Sequence, residues 1–467
     1  MTKSYKIPPK SCSPSAPEHA HVDKNVSQCI TVNCASPAAP APCADPCDTK
    51  CEYKFNPYFT HPRIIEPSKL KSMLDADTDK KVVLAAVPFW PQNAFSYYHE
   101  ELIELGSTNL APTAHTRQTD YLEYTTGGRT YESIQFDYRK DLGDANVPVR
   151  YYTVPSKEDF QQTLRNKGIT KDHIIVVYDD TEVAGSIGAS ATKFGLNRMA
   201  ARAMFVLQFY GHENVFLVNG GDRAVLEAGL GFTTNSGNAH AKWVDGPLFG
   251  TAAGENVATA PLSAADLTGP TGMWVRVDEG NTGPSDYLIT TVKDELIVDR
   301  EGVALGRKDC KTDVLDARPY TMYVGSRQGG LIQCLSDAPV RRLGHIKDAV
   351  NSQWSGYLEV VASGSTGPDY TRFKSPEDLL EQLRSDAGLL EECDRRIITA
   401  CNEGIHAVMA WLVIAYILNY PNTVVYEGST AEWADATGVF NPGNPAGCGV
   451  LIPQGVEGFP MQSGLDE

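Results

Sequence analysis

The feature that most restricts the fold of this chain is an internal repeat. Residues 156–165 read SKEDFQQTLR and residues 375–384 read SPEDLLEQLR, so Ser, Glu, Asp, a large apolar residue, Leu and Arg recur at the same offsets. A serine N-cap followed by acidic residues is typical of a helix start, and Pro376 suits the first helical position. The pattern therefore predicts one helix in each half of the chain, built to one plan.

The similarity continues after these helices. Each copy has a continuous apolar, β-branched run, then an apolar helix, then a short apolar strand. The corresponding segments are 173–179 and 396–401, 197–210 and 407–420, and 215–218 and 423–426. Strand–helix–strand alternation at this spacing predicts right-handed crossovers. We therefore expect an α/β fold with two copies of one domain, each a parallel sheet flanked by helices.

The repeat sets the expected domain boundaries. The first copy is predicted at 61–235 and the second at 305–467, with a linker or small inserted subdomain at 236–304. That linker contains strand-like runs at 273–277 and 287–292.

Residues 1–60 differ in composition and are predicted to be disordered. They are rich in Cys, Pro and Ala and have few large apolar residues, so they cannot bury enough surface to offset the entropy of ordering. Cys43, Cys47 and Cys51 recur every four residues, with His19 and His21 upstream. A zinc site usually pairs two CxxC-like knuckles, and these are absent, so we favour a disordered or partner-docking tail over a metal site.

Charge and hydropathy restrict the classes of partner that this chain can bind. The formal net charge of −17 disfavours nucleic-acid binding and docking on anionic membranes. The longest apolar run, 407–420, is too short for a transmembrane helix. The first residues lack the apolar stretch of a secretory signal, so a cytoplasmic protein is expected.

Several motifs resemble one family. HIIVVYDD at 173–180 and RAMFVLQFYGHENVFLVNGG at 202–221 resemble the N-terminal half of tandem-domain rhodaneses and mercaptopyruvate sulfurtransferases. The motifs that resemble their C-terminal half are TDVLDARPY at 312–320, GHIKDAVN at 344–351, CNEGIHA at 401–407 and VYEGSTAEW at 425–433. The resemblance implies two rhodanese-like domains and no cofactor.

The resemblance also implies the site. Cys401 is the expected catalytic residue, since it opens the loop where the family carries its nucleophile, and Asp179 stands at the same place in the first copy. The expected substrate-binding residues are Arg202, from the first copy, and those of the active loop: Asn402, Glu403, Gly404, Ile405 and His406. Arg198, one turn before Arg202, is a weaker candidate.

The position of the loop suits sulfur chemistry. The loop follows a parallel strand and precedes a helix, where backbone N–H groups form an anion cradle and Gly404 permits the turn. The helix dipole is expected to lower the pKa of the Cys401 thiol. The implied reaction takes sulfane sulfur from a small anionic donor, resembling thiosulfate or mercaptopyruvate, and forms a persulfide. The acceptor would be cyanide or a thiol, including a protein thiol.

Two other interpretations stay open. The chain could be a catalytically silent rhodanese-fold scaffold that binds or regulates partners. It could also be a thiol phosphatase, although residues 401–407 contain no arginine for phosphate. Asn402 and Glu403 also depart from the loops of thiosulfate- and mercaptopyruvate-specific members, so the sequence does not identify the donor.

Overall fold

The computed structural model describes fourteen stretches of the chain: 63–87, 122–136, 141–143, 153–179, 197–234, 241–242, 275–276, 285–309, 311–325, 344–362, 370–390, 395–420, 422–434 and 461–462. The tail predicted at 1–60 and its cysteines lie outside these residues.

The N-terminal unit, residues 63–234, is built on a parallel sheet. Its elements are β1 (Ile64–Ile65), α1 (Pro67–Ala76), β2 (Val82–Ala86), β3 (Leu122–Thr126), β4 (Arg129–Glu132), β5 (Ile134–Gln135), α2 (Lys157–Asn166), β6 (Ile174–Tyr178), α3 (Arg198–Phe209), β7 (Val215–Val218), α4 (Gly221–Glu227) and β8 (Thr233–Thr234). The parallel sheet has the order β1-β7-β6-β2-β5, and β4-β3-β8 form a small antiparallel sheet.

Two short strands and a 3₁₀ turn lie between the units. They are β9 (Ala241–Lys242), antiparallel to β10 (Val275–Arg276), and the turn at Asp294–Leu296.

The C-terminal unit, residues 297–434, repeats the first. Its elements are α5 (Arg300–Gly306), β11 (Thr312–Asp316), α6 (Tyr320–Tyr323), β12 (His345–Ile346), β13 (Val350–Asn351), a 3₁₀ turn (Trp354–Tyr357), β14 (Leu358–Val361), β15 (Tyr370–Phe373), α7 (Pro376–Ala387), β16 (Arg396–Ala400), α8 (Ile405–Trp411), a π-helical turn (Leu412–Ile417), β17 (Thr423–Val425) and α9 (Ser429–Ala434). A last strand, β18 (Met461–Gln462), pairs with β12.

The two parallel sheets have the same strand order. The second sheet runs β13-β11-β16-β17, and a parallel bridge from Ile297 to Val425 continues it beyond β17. Ile297 thus takes the place that β1 has in the first sheet. The predicted α/β fold with repeated parallel sheets and flanking helices is confirmed.

The repeated helices start as the sequence predicts. The Ser156 side chain accepts a hydrogen bond from the Asp159 N–H at 3.1 Å, and that of Ser375 accepts one from the Asp378 N–H at 3.1 Å. Gly388 ends α7 with a φ of 61°, a conformation in which glycine has no Cβ penalty. In each unit, the chain continues from this helix into a buried central strand.

The segment before the second unit differs from the sequence prediction. The run at 287–292 was expected to be a strand, but it belongs to no strand or helix. It packs along the N-terminal unit, where the carbonyl of Tyr287 accepts a hydrogen bond from Arg165 and the N–H of Ile289 donates to Gln161. Helix contacts therefore satisfy backbone groups that a neighbouring strand would otherwise satisfy.

The units meet across α3 and α8, and this contact positions the site. Every residue of α3 is buried, since its own sheet covers one side and α8 the other. The rings of Phe205 and Trp411 meet edge to face with centroids 4.9 Å apart. One continuous hydrophobic core runs through both units. The ends of the two helices are therefore held in a fixed relation.

Candidate active site

Cys401 lies at the carboxyl edge of the second sheet, directly after β16. The N–H of Ala317 donates to the carbonyl of Ala400, so the ends of β11 and β16 are joined at this edge. The side chain of Cys401 is buried, with 1% exposed. Ligands of open α/β sheets bind at this edge, where the sequence predicted the site.

Backbone amides surround the sulfur atom. The N–H of Gly404 donates to Sγ at 3.1 Å, and the N–H groups of Glu403 and Ala407 are hydrogen-bonded to it as well. Gly404 has a φ of 99°, a left-handed conformation that lets its N–H turn towards the sulfur. This arrangement is the inward-facing cradle that the loop predicts.

The prediction that the thiol pKa is lowered is wrong. Burial raises the pKa of Cys401 above its ordinary value, because a thiolate loses solvation inside the protein. The amide hydrogen bonds and the Ser429 hydroxyl act in the opposite direction but do not outweigh burial. The cradle is therefore suited to an anion, and the closed pocket disfavours the thiolate.

The turn after β17 holds the Cys401 loop in place through hydrogen bonds. The Cys401 N–H donates to the Ser429 hydroxyl at 3.0 Å, and that hydroxyl lies 3.9 Å from Sγ and donates to the Tyr426 carbonyl. Thr430 donates its N–H and its hydroxyl to the Cys401 carbonyl at 2.9 and 2.8 Å. These contacts fix the backbone on both sides of the nucleophile.

Asp179 has the place in the N-terminal unit that Cys401 has in the second. It follows β6 directly and is 3% exposed. Its carboxylate accepts hydrogen bonds from the N–H groups of Met199 and Ala200 in the first turn of α3. The N–H of Asp222 donates to its carbonyl at 3.1 Å, as Thr430 does to Cys401. The first turn of α3 therefore binds a carboxylate in the first unit.

Arg202 is held by contacts between the units. Its guanidinium is 0% exposed, lies 2.5 Å from the Glu427 carboxylate, and donates twice to the Leu142 carbonyl. Glu427 also accepts a hydrogen bond from the Val154 N–H at 2.9 Å. Donor binding by Arg202 stays a prediction, and these contacts indicate a structural role.

The side chain of Arg198, from the first unit, lies close to His406 of the active loop. Its guanidinium carbon lies 5.6 Å from the ring centroid of Trp354. The Trp354 ring stacks on the imidazole of His406, with centroids 4.5 Å and planes 7° apart. Burial, followed by the charge of Arg198, holds the pKa of His406 well below its ordinary value. His406 is therefore neutral at neutral pH.

The remaining loop residues lie around the cradle. Asn402 is fixed by Met322, whose sulfur accepts its side-chain N–H at 3.7 Å, and by Ala431, whose N–H donates to its carbonyl. Glu403 is half-buried, and Ile405 is buried as the first residue of α8. Their predicted part in substrate binding stays a prediction.

Sequence reasoning missed Ser429, Thr430, Glu427 and Trp354 as site residues. The first three belong to the VYEGSTAEW motif, which drew attention only as part of the repeat. Trp354 follows the GHIKDAVN motif by three residues. Position after a sheet strand is the signal that could have found them, because strand ends converge at one edge.

No group of three or more His, Cys, Asp or Glu side chains in the described residues is placed to hold a metal ion. Within the same residues, every helix is too short or too polar to cross a bilayer.

Comparisons with known proteins agree with this architecture. The sequence profile of the Rhodanese-like domain matches residues 301–436. The chain is 25% identical over 323 residues to the sulfur carrier protein TtuD of Thermus thermophilus, covering 68% of this chain and 87% of that protein. It is 26% identical over 359 residues to a thiosulfate sulfurtransferase of Corynebacterium glutamicum, covering 75% and 93%.

A solved structure shares the fold. The crystal structure of the Tum1 protein from Saccharomyces cerevisiae aligns with a TM-score of 0.50 at 19% identity, over 81% of this chain and 96% of that one. The profile matches the second unit, and the relatives align along most of their length. The chain is therefore similar to tandem-domain rhodaneses, and its second unit carries the rhodanese-like domain.

Proposed function

We propose that this protein is a sulfurtransferase that carries sulfane sulfur as a persulfide on Cys401. The observation that carries the proposal is the ring of amides aimed at Sγ, with the Gly404 N–H at 3.1 Å. A cradle of this kind stabilises negative charge on whatever atom occupies it. The relatives named for sulfur transfer and sulfur carriage support the same class of reaction.

The first step is attack of the Cys401 thiolate on the outer sulfur of the donor. With thiosulfate, the S–S bond of the donor breaks, sulfite leaves with the bonding electron pair, and Cys401 becomes a persulfide anion. With mercaptopyruvate, the C–S bond breaks, and the released carbanion of pyruvate takes up a proton. In both cases the enzyme keeps one sulfur atom, as in other covalent two-step schemes.

The second step returns the enzyme to its first state. A thiophilic acceptor such as cyanide or a thiolate attacks the outer persulfide sulfur, and the electron pair of the S–S bond returns to Cys401. The amides of Glu403, Gly404 and Ala407 stabilise the sulfur anion before and after this transfer. A persulfide is a stronger acid than a thiol, so a similar cost of burial leaves a larger fraction of it as the anion.

A silent scaffold is the second candidate, and one observation favours it. Cys401 is 1% exposed and its pKa is raised by burial, as expected for an inert core thiol. The amide cradle supports the enzyme, because a purely packed cysteine does not need three N–H donors on its sulfur.

The test is intact-mass measurement after incubation with a donor. The wild-type chain should gain the mass of one sulfur atom with thiosulfate or with mercaptopyruvate, and Cys401→Ser should gain none. Cys401→Ala provides a second control without a hydroxyl in the cradle. The scaffold becomes the better-supported function if neither donor adds sulfur to the wild-type chain. The same holds if both variants gain the same mass as the wild-type chain.

A further inference from the structure

The two units make the same contact with each other twice, in opposite directions. The N–H of Val154 donates to the Glu427 carboxylate at 2.9 Å, and the N–H of Phe373 donates to the Asn219 side chain at 3.0 Å. Val154 and Phe373 each lie two residues before the serine that starts a repeated helix. Glu427 and Asn219 correspond as well, because each lies three positions before the N–H that binds the residue following the central strand. Each unit therefore contacts the other through equivalent residues, as at a twofold interface.

The second unit departs from this shared plan at two positions. Glu427 carries a charge where the first unit has the neutral Asn219, and its other carboxylate oxygen binds the Arg202 guanidinium at 2.5 Å. Two positions later, Ser429 stands where the first unit has Gly221. Both residues have a left-handed backbone, with φ of 50° and 65°. The unit that contains the nucleophile therefore combines the stronger contact with the less favourable residue for this backbone.

Ser429 needs a restraint to keep this conformation. A left-handed φ brings the Cβ of any residue except glycine close to a carbonyl oxygen, so an unrestrained serine would turn to an extended or right-handed backbone. Strained residues persist where the surrounding structure holds them from several sides. Ser429 is 0% exposed, and Glu427, two residues before it, is anchored to Arg202 and Val154 of the first unit. This anchor restrains the turn from outside the second unit.

The turn passes the restraint on to the nucleophile. The Ser429 hydroxyl accepts the Cys401 N–H at 3.0 Å, and the N–H groups of Thr430 and Ala431 donate to the carbonyls of Cys401 and Asn402 at 2.9 and 3.0 Å. A change of φ at Ser429 would move all three contacts together, because they lie on consecutive residues. Displacing a reacting group by about 1 Å can lower a rate by about 100-fold.

We propose that Glu427 is a positioning residue for the nucleophile: its contacts with Arg202 and Val154 keep Ser429 left-handed and thereby fix the backbone of the Cys401 loop. The effect on sulfur transfer rests on the proposed function. The ion pair with Arg202 thus sets the geometry of the active loop, in addition to stabilising the fold. Asn219 makes the equivalent contact in the first unit without this consequence, because glycine needs no restraint at the left-handed position.

Hydrogen exchange of the full chain tests the positioning role without sulfur chemistry. Exchange at the N–H groups of Cys401, Thr430 and Ala431 is compared with exchange in β16 of the same chain. In Glu427→Gln, the three N–H groups should exchange at least about tenfold faster relative to β16, because the turn opens while the sheet stays folded. Glu427→Asp keeps the charge but is shorter by one methylene, so its ratio should lie between those of the wild type and Glu427→Gln. It also provides the test if Glu427→Gln does not fold.

Asn219→Ala is the matched control, since it removes the equivalent contact between the units. It should weaken the same interface and raise exchange generally, but the ratio between the three N–H groups and β16 should stay within about twofold of the wild type. Equal ratios in the wild type and both Glu427 variants would overturn the positioning role. The same ratio in Asn219→Ala as in Glu427→Gln would also overturn it, because any weakening of the interface would then have this effect.

Donor kinetics distinguish positioning from two other roles of the ion pair. With thiosulfate or mercaptopyruvate, the limiting rate of persulfide formation should fall about tenfold in Glu427→Asp, whereas the half-saturating donor concentration should stay within about twofold. A raised half-saturating concentration with an unaltered limiting rate would assign the pair to donor binding and overturn the proposal. Unaltered values of both would leave the pair a purely structural role and overturn it as well.

The two readouts keep this proposal separate from the proposed function. If the wild-type chain forms no persulfide with either donor, the proposed function fails. The exchange ratios then still decide whether Glu427 holds the Cys401 loop, because they need no sulfur transfer.

Discussion

Replacing either member of the Arg202–Glu427 ion pair is expected to destabilise the protein strongly. The two side chains are 0% and 5% exposed, and their charged atoms are 2.5 Å apart. Loss of one partner leaves the other charge buried without a counter-ion, which costs about 3–5 kcal/mol of unfolding free energy. Glu427→Gln should cost about 3 kcal/mol of unfolding free energy, because glutamine can still accept a hydrogen bond from the Val154 N–H.

Urea unfolding, followed by tryptophan fluorescence, measures this cost. With a slope of about 3 kcal/mol per M, the midpoint should fall by about 1 M or slightly more in Glu427→Gln or Arg202→Met. The double variant should lose far less than the sum of the single losses, with a coupling energy of about 2–3 kcal/mol. The reason is that no charge is left unpaired when both are removed.

An exposed pair of the same residue types is the control. Arg372 and Glu359 are 47% and 40% exposed on neighbouring strands, so the same substitutions there should cost under about 1 kcal/mol. Additive losses for Arg202 and Glu427, or single losses as small as those of the control, would refute the structural role given to Arg202.

Four further predictions concern the loop, two titrations and the helix starts. Gly404→Ala should slow persulfide formation and cost about 1–2 kcal/mol of stability, because a left-handed φ disfavours a Cβ; donor kinetics with urea melts check both. The iodoacetamide rate at Cys401 should keep rising above pH 9.0, the ordinary thiol value, because its pKa is raised, and a plateau below that pH would contradict this. Burial lowers the pKa of His212 to about 4, so the unfolded chain binds a proton at higher pH than the folded chain does. The free energy of unfolding should therefore fall by about 2 kcal/mol as the pH drops from 6.5 towards 4. His212→Asn should lose this dependence in pH-dependent melts. Ser156→Ala and Ser375→Ala should each cost about 1 kcal/mol, and unequal melts would show that the two N-caps are not equivalent.

The sequence predicted those parts of the fold that local chemistry determines. Serine caps, a proline at the first helical position and continuous β-branched runs can each be recognised within about ten residues of sequence. Because these marks occur twice in the same order, they also predicted the repeated parallel sheets. Cys401 was predicted from the resemblance of its loop to the active loop of one family, and it follows one of the repeated strands directly.

What the sequence could not predict depends on partners distant in the chain. Arg198 and Arg202 lie one turn apart, so helical periodicity places them on similar faces and does not show which of them pairs with Glu427. Glu427, which pairs with Arg202, lies 225 positions away. The run at 287–292 has the composition of a strand but packs on helices. The run predicted as one helix at 407–420 changes to a π turn at 412–417, which its uniform apolar character conceals.

The most direct test of the account is to count the sulfur that Cys401 carries and releases. The chain is loaded with thiosulfate, freed of excess donor, mapped by peptide mass spectrometry across its 11 cysteines, and then discharged with cyanide. The account predicts a persulfide on the Cys401 peptide, about one thiocyanate released per chain, and none from Cys401→Ser. Equal thiocyanate release from the wild-type chain and Cys401→Ser, or sulfur located only on other cysteines, would contradict it.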